Sequence, residues 1–174
     1  REYPEAQFLQ LGKVPASDLR WLEGFLDRSG LREAVVLVPR VSFEDLGAYV
    51  PYTDVALIAR QADSNANTSF ATKVFDYMTF GVPIVATDLM MLRRLNSQFR
   101  VATLVDTRSP DAIAEAVLDL LRHPALAAGY SKSARAAVDL EYSWERMAAR
   151  LDGVYRNLGN TTAGSAGRSD DRGV

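Results

Sequence analysis

Apolar positions along this chain alternate between two forms: short continuous runs, and longer stretches in which they recur every three to four residues. Continuous runs rich in β-branched residues mark strands buried on both faces of a parallel sheet, and the wider spacing marks amphipathic helices. Residues 7–11 (QFLQL) predict a first strand ending at Gly12. Ser17 then stands where a cap would open a helix whose Leu19, Leu22, Phe25 and Leu26 share a face, closed by Gly30. Residues 34–38 (AVVLV) predict a buried strand, 43–49 a short helix, 54–59 another buried strand, and 60–69 a polar loop. A helix over 72–80, stopped by Gly81 and Pro83, leads to a strand at 84–87, a short helix at 89–95 and a strand at 101–105. Ser109-Pro110-Asp111 is a helix start with a capping hydroxyl, proline at the first helical position and an acid in the first turn. Ile113, Val117, Leu120 and Leu121 follow on one face. A helix over 125–140 comes next, and after Ser143 a last one sets Met147, Leu151, Val154, Tyr155 and Leu158 in a stripe.

Strands and helices that alternate in this way predict an α/β fold, a doubly wound parallel sheet of Rossmann-like type with helices on both faces. Ligands of such sheets sit at the carboxyl ends of the strands, so the loops after Val38, Ala59 and Thr87 are where function is to be sought. One ordered domain over residues 1–158 is expected. From Gly159 onward the chain is Gly, Ser, Thr and charge, a composition that predicts a disordered tail over 159–174.

Composition narrows the chemistry. The chain has 174 residues and a net charge of -2, which gives no electrostatic argument for nucleic acid or an anionic membrane surface. It has no cysteine and one histidine, His123, so thiol chemistry is excluded and no metal site is expected. His123 stands before Pro124 at a helix end, where serving the last turn is the expected role. No apolar run is long enough to span a bilayer, and a cytoplasmic setting is expected. The chain opens on Arg1 with no initiator methionine and is read as a piece of a longer one. No Walker loop, nucleophile elbow or dinucleotide fingerprint is present.

Only three of the 20 basic residues are lysines, and one of them, Lys73, falls at the start of the helix predicted from Thr72. A helix start carries unpaired N–H groups and partial positive charge, so a cation there is unfavourable for the helix and sensible beside a bound phosphate. Asp76, three residues on, shares the face and suits the hydroxyls of a ribose. A solvated Lys73–Asp76 pair is the bland alternative, and spacing alone leaves it open. Asp54, Asp88 and the Arg93-Arg94 pair lie near strand ends or helix starts, where capping and solvation explain them. Packing explains Trp144 at the entry of the last helix.

The order K-x-x-D-Y-M at residues 73–78 followed by G-x-P-I-V-A-T at 81–87 resembles the GT-B retaining glycosyltransferases of the family 4 type. The segments YPEAQFLQLG, AVVLVPRV, LGAYVPYTDVALIA, SPDAIAEAVLDLLRHP and YSWERMAARLDGVYRNL also resemble family segments, in order. The resemblance covers nearly all of residues 3–158 and implies the donor-binding C-terminal half of a GT-B enzyme, acting without metal or other cofactor on a nucleotide-sugar substrate. It implies donor contacts at Thr68, Ser69, Phe70, Ala71, Thr72, Lys73 and Asp76, with Asp76 at the ribose. It places the nucleobase against Pro39, Arg40 and Val41, largely through backbone groups. No catalytic side chain is assigned, and the acceptor-binding N-terminal domain lies outside the chain. The family's usual residues differ at three positions: Thr68 stands for a sugar-contacting Glu, Ala71 for Pro, and Asp76 for Glu. Those departures keep two further readings open, a noncatalytic nucleotide-binding module and another GT-B enzyme such as a sugar-nucleotide epimerase.

Overall fold

The structure, a computed structural model, describes residues 2–60, 66, 67, 69 and 71–165. Where one domain is expected, it forms two compact units, Arg1–Tyr49 and Val50–Val174. Both are α/β with parallel strands.

In the first unit β1 (Phe8–Leu11) pairs in parallel with β2 (Val35–Val38), Phe8 opposite Val35 and Leu11 opposite Val38. The helix between them, α1 (Ala16–Ser29), turns Leu26 into the core and ends at Gly30, whose φ of 64° is a left-handed cap suited to glycine. Ser17 does not cap α1. Pro15, with its ring-fixed φ, is the N-cap, its carbonyl accepts from Asp18 and Leu19, and Ser17 donates instead to Asp18 Oδ1 at 2.9 Å. Strand β2 is less buried than its apolar run predicts, with Val36 exposed. Trp21 and Phe25 stack on each other at 5.6 Å on the exposed side of α1.

The second unit is built on a sheet of order β3 (Ala56–Ile58), β4 (Ile84–Thr87) and β5 (Ala102–Val105). The central strand is buried along its whole length, as its run Ile84-Val85-Ala86 predicts. Three helices follow the strands in alternation, α2 (Lys73–Phe80), α3 (Met90–Phe99) and α4 (Pro110–Arg122), and α5 (Pro124–Ala137) follows α4 directly. Helix α4 starts as its sequence predicts, the Ser109 hydroxyl accepting from the Ala112 amide at 3.2 Å, and packs Ala116 and Leu120 on Val85. A π-helical turn over Val138–Tyr142 leads to α6 (Trp144–Ser165).

Two outcomes at the end of the chain differ from expectation. Trp144 is exposed, as is the stripe Met147, Leu151, Val154, Tyr155 and Leu158: the period marks an apolar face, but the packing expected of Trp144 is not made. Helix α6 also continues past Gly159 to Ser165, into the segment whose composition predicts disorder. A helix already formed gains one hydrogen bond for each residue it adds, which offsets a weak composition. Residues 166–174 lie outside the described residues.

Gly81 closes α2 with a φ of 68°, and a Cβ built there would stand 2.2 Å from Arg135 Nε, whose guanidinium donates to Phe80 O at 2.8 Å. Gly81→Ala therefore meets both a left-handed backbone and an occupied space. It is expected to lower unfolding free energy by about 1–3 kcal/mol in urea denaturation.

Candidate functional site

Helix α2 is held from below by Val74 and Met78, both fully buried, and this fixes which residues face outward. Lys73 is exposed at its first turn and makes no ion pair among the described residues. Asp76 is half-buried one turn on, and burial is what raises its carboxyl above the usual carboxylate range. The two form no ion pair with each other. Burial, helped by the Asp76 charge, pushes the neighbouring Tyr77 hydroxyl up as well. A partly buried carboxylate one turn from an ammonium with no ion-pair partner among the described residues, at a helix start whose N-cap Thr72 offers no side-chain cap, is an arrangement suited to a ligand with both phosphate and hydroxyl groups.

The approach to α2 is tied to the sheet. Arg60 reaches Ser69 Oγ through its guanidinium at 3.5 Å, and Asn67 Oδ1 accepts from the Met90 amide at 3.3 Å, serving the start of α3. Of the donor residues expected from sequence, Ser69, Ala71, Thr72, Lys73 and Asp76 are brought together here, whereas Thr68 and Phe70 lie outside the described residues.

In the first unit, Val38 and Pro39 line a cavity of about 340 Å³ at the carboxyl ends of β1 and β2, with Gly12, Lys13 and Leu37 among its other walls. Arg40 and Val41 are not among its lining residues.

The remaining candidates are accounted for locally. Arg93 grips Asp88 with two hydrogen bonds of 2.5 and 2.6 Å, and these hold the Asp88 carboxyl below the usual range. His123 caps the junction of α4 and α5, its Nδ1 2.9 Å from both the carbonyl and the carboxylate of Asp119. Asp54 is exposed in the bend before β3. Among the described residues no three His, Asp or Glu side chains are grouped to hold a metal, and no helix is long and apolar enough to cross a membrane.

The hydrogen bonds of the Thr87 hydroxyl were not legible in the sequence, because a threonine at a strand end reads as a β-branched strand former and its partners come from residues 20 to 29 positions away.

Parallel strands that alternate with helices define the class as an α/β domain. Comparison with known proteins sharpens this: residues 1–123 match the family of group 1 glycosyl transferases, and the chain belongs to that family. It is 28% identical over 163 residues to a phosphatidyl-myo-inositol mannosyltransferase of Mycobacterium leprae, a match that covers 94% of this chain and 40% of the relative. Among solved structures it is similar to a sucrose-phosphate synthase from Thermosynechococcus elongatus (TM-score 0.77, 24% identity, 92% of this chain and 40% of that one). It is also similar to HepE from Anabaena in complex with UDP (TM-score 0.77, 14% identity, 88% and 42%). HepE has also been seen in complex with UDP-glucose. These neighbours establish the fold as that of GT-B glycosyltransferases, and the chain spans about 40% of the length of the relatives it matches.

The half-buried Asp76 carries a prediction on stability. Its folded pKa lies above the unfolded value, so the folded chain holds that proton more tightly; the group costs stability above its folded pKa, and the cost fades as pH falls below the unfolded value. Asp76→Asn should therefore raise the thermal midpoint at neutral pH while weakening nucleotide binding, and the rise should vanish in acid. A thermal melt series over pH beside a nucleotide titration checks both halves.

Proposed function

We propose that this chain is the donor-binding part of a retaining glycosyltransferase that moves a sugar from a nucleotide-sugar to an acceptor. The observation that carries the reading is the start of α2, where an exposed Lys73 and a half-buried Asp76, neither with an ion-pair partner among the described residues, share one face. In this reading the first-turn amides and Lys73 take the diphosphate, with Ser69, Ala71 and Thr72 beside them and Asp76 on the ribose. The departing diphosphate gathers negative charge as the glycosidic bond to it breaks, and a fixed ammonium and helix-terminus amides lower the energy of that charge without reorganising. No metal is required for this, so metal independence and a cytoplasmic setting belong to the same proposal. The UDP and UDP-glucose bound by HepE support a nucleotide-sugar as the donor class.

Acceptor recognition is assigned to a part of the enzyme outside this chain, since the chain spans about 40% of its relatives. The 174-residue chain alone is accordingly expected to bind nucleotide weakly and to transfer little or no sugar. Product analysis with the complete polypeptide tests the reaction: a glycosylated acceptor with the anomeric configuration of the donor supports the proposal. An epimerised nucleotide-sugar or unchanged donor counts against it, as does robust transfer by this chain by itself.

A further inference from the structure

The carboxyl ends of β3, β4 and β5 converge on one hydroxyl. Thr87, the last residue of β4, is 4% exposed, and it is the buried polar side chain among the described residues. Its Oγ1 accepts from the Arg60 amide at 2.8 Å and lies 2.8 Å from the Arg60 carbonyl, 3.2 Å from the Ile58 carbonyl and 3.0 Å from Thr107 Oγ1. A hydroxyl has one proton and two lone pairs. Assigned by these distances, Thr87 donates to the Arg60 carbonyl and accepts both from the Arg60 amide and from the Thr107 hydroxyl. Arg60 is thus held at both of its backbone groups, and its guanidinium reaches on to Ser69 Oγ. The strand itself does not need this hydroxyl. Valine has the same shape and an equal liking for a buried strand, but it would leave the Arg60 amide without this acceptor and the Arg60 carbonyl with only the longer contact from the Thr107 hydroxyl at 3.4 Å.

We infer that Thr87, backed by Thr107, is the positioning residue of the donor segment, anchoring Arg60 and through it Ser69 at the approach to α2. The inference rests on the reading of that segment as the donor site. It assigns Thr87 no contact with the donor: its effect passes through Arg60.

The test compares the unmutated chain with Thr87→Val, Thr87→Ser and Thr107→Val by amide hydrogen exchange and by titration with uridine, guanosine and adenosine diphosphates. Thr87→Val is expected to speed exchange at Arg60 and Ser69 by about tenfold or more relative to amides within α4, and to weaken diphosphate binding, because a buried donor has lost its partner. Thr87→Ser keeps the hydroxyl and should restore both properties. Thr107→Val, which removes only the outer hydroxyl, should shift them in the same direction by less, and it keeps the test usable if Thr87→Val does not fold. Exchange that is unchanged at Arg60 and Ser69, or that rises equally in α4, overturns the inference. So does local loosening that leaves diphosphate affinity intact while Lys73→Ala weakens it. Failure of the unmutated chain to bind any of the three diphosphates sinks the donor reading and the inference with it, and is told apart because it appears without any mutation.

Discussion

Replacing Lys73 by alanine is expected to weaken binding of a nucleoside diphosphate by about ten- to a hundredfold, the range for losing a hydrogen bond made to a charged partner. The magnitude follows from its setting. Lys73 is exposed and has no ion-pair partner among the described residues, so its removal costs the free chain little, and the loss falls on the bound state. Thermal melts of the variant should match the parent while calorimetric affinity falls. The affinity of the parent should also drop with added salt, since an exposed ammonium is screened, and the variant should be less sensitive. Lys73→Arg is expected to recover only part of the binding, because a planar fork does not reproduce a compact point charge at a helix start.

The second large effect lies directly beneath. Met78 is fully buried on the inner side of α2, among the largest enclosed side chains of the second unit. Met78→Ala is expected to cost about 2–5 kcal/mol of unfolding free energy, through lost transfer energy and the cavity left behind. Urea denaturation with an unchanged slope would show that stability alone has moved. Lys73 and Met78 thus separate the two faces of one short helix, with function on the outer side and stability on the inner.

How much of this was legible in the sequence varied with how local the cause was. Ser109-Pro110-Asp111 opens α4 as its residues predict, because a cap, a fixed φ and a first-turn acid all act within four positions. The run Ile84-Val85-Ala86 gives a strand buried on both faces for the same reason, and Gly81 ends α2 as a glycine with positive φ. Ser17 was a local signal overruled by another, since Pro15 starts the helix earlier. The exposed Trp144 shows a different limit: periodicity identifies an apolar face but not whether anything packs on it.

The candidate site divides in the same manner. Spacing put Lys73 and Asp76 on one face, but only their surroundings reveal that they do not pair and that Asp76 is desolvated. The Arg93-Arg94 pair reads from sequence as a solvated helix surface, and what the sequence does not reveal is that Arg93 is committed to Asp88 through a bidentate contact. Thr87 was hidden altogether, because its role depends on Arg60 and Thr107, which three parallel strands bring together from distant positions.

The most direct test of the central claim is an amide chemical-shift titration of the isotope-labelled chain with uridine, guanosine and adenosine diphosphates. The account predicts that at least one of them shifts Ser69, Ala71, Thr72 and Lys73 together in a saturable way, and that Lys73→Ala suppresses the response. Shifts that spare the start of α2, or that persist unchanged in the Lys73→Ala chain, would contradict it.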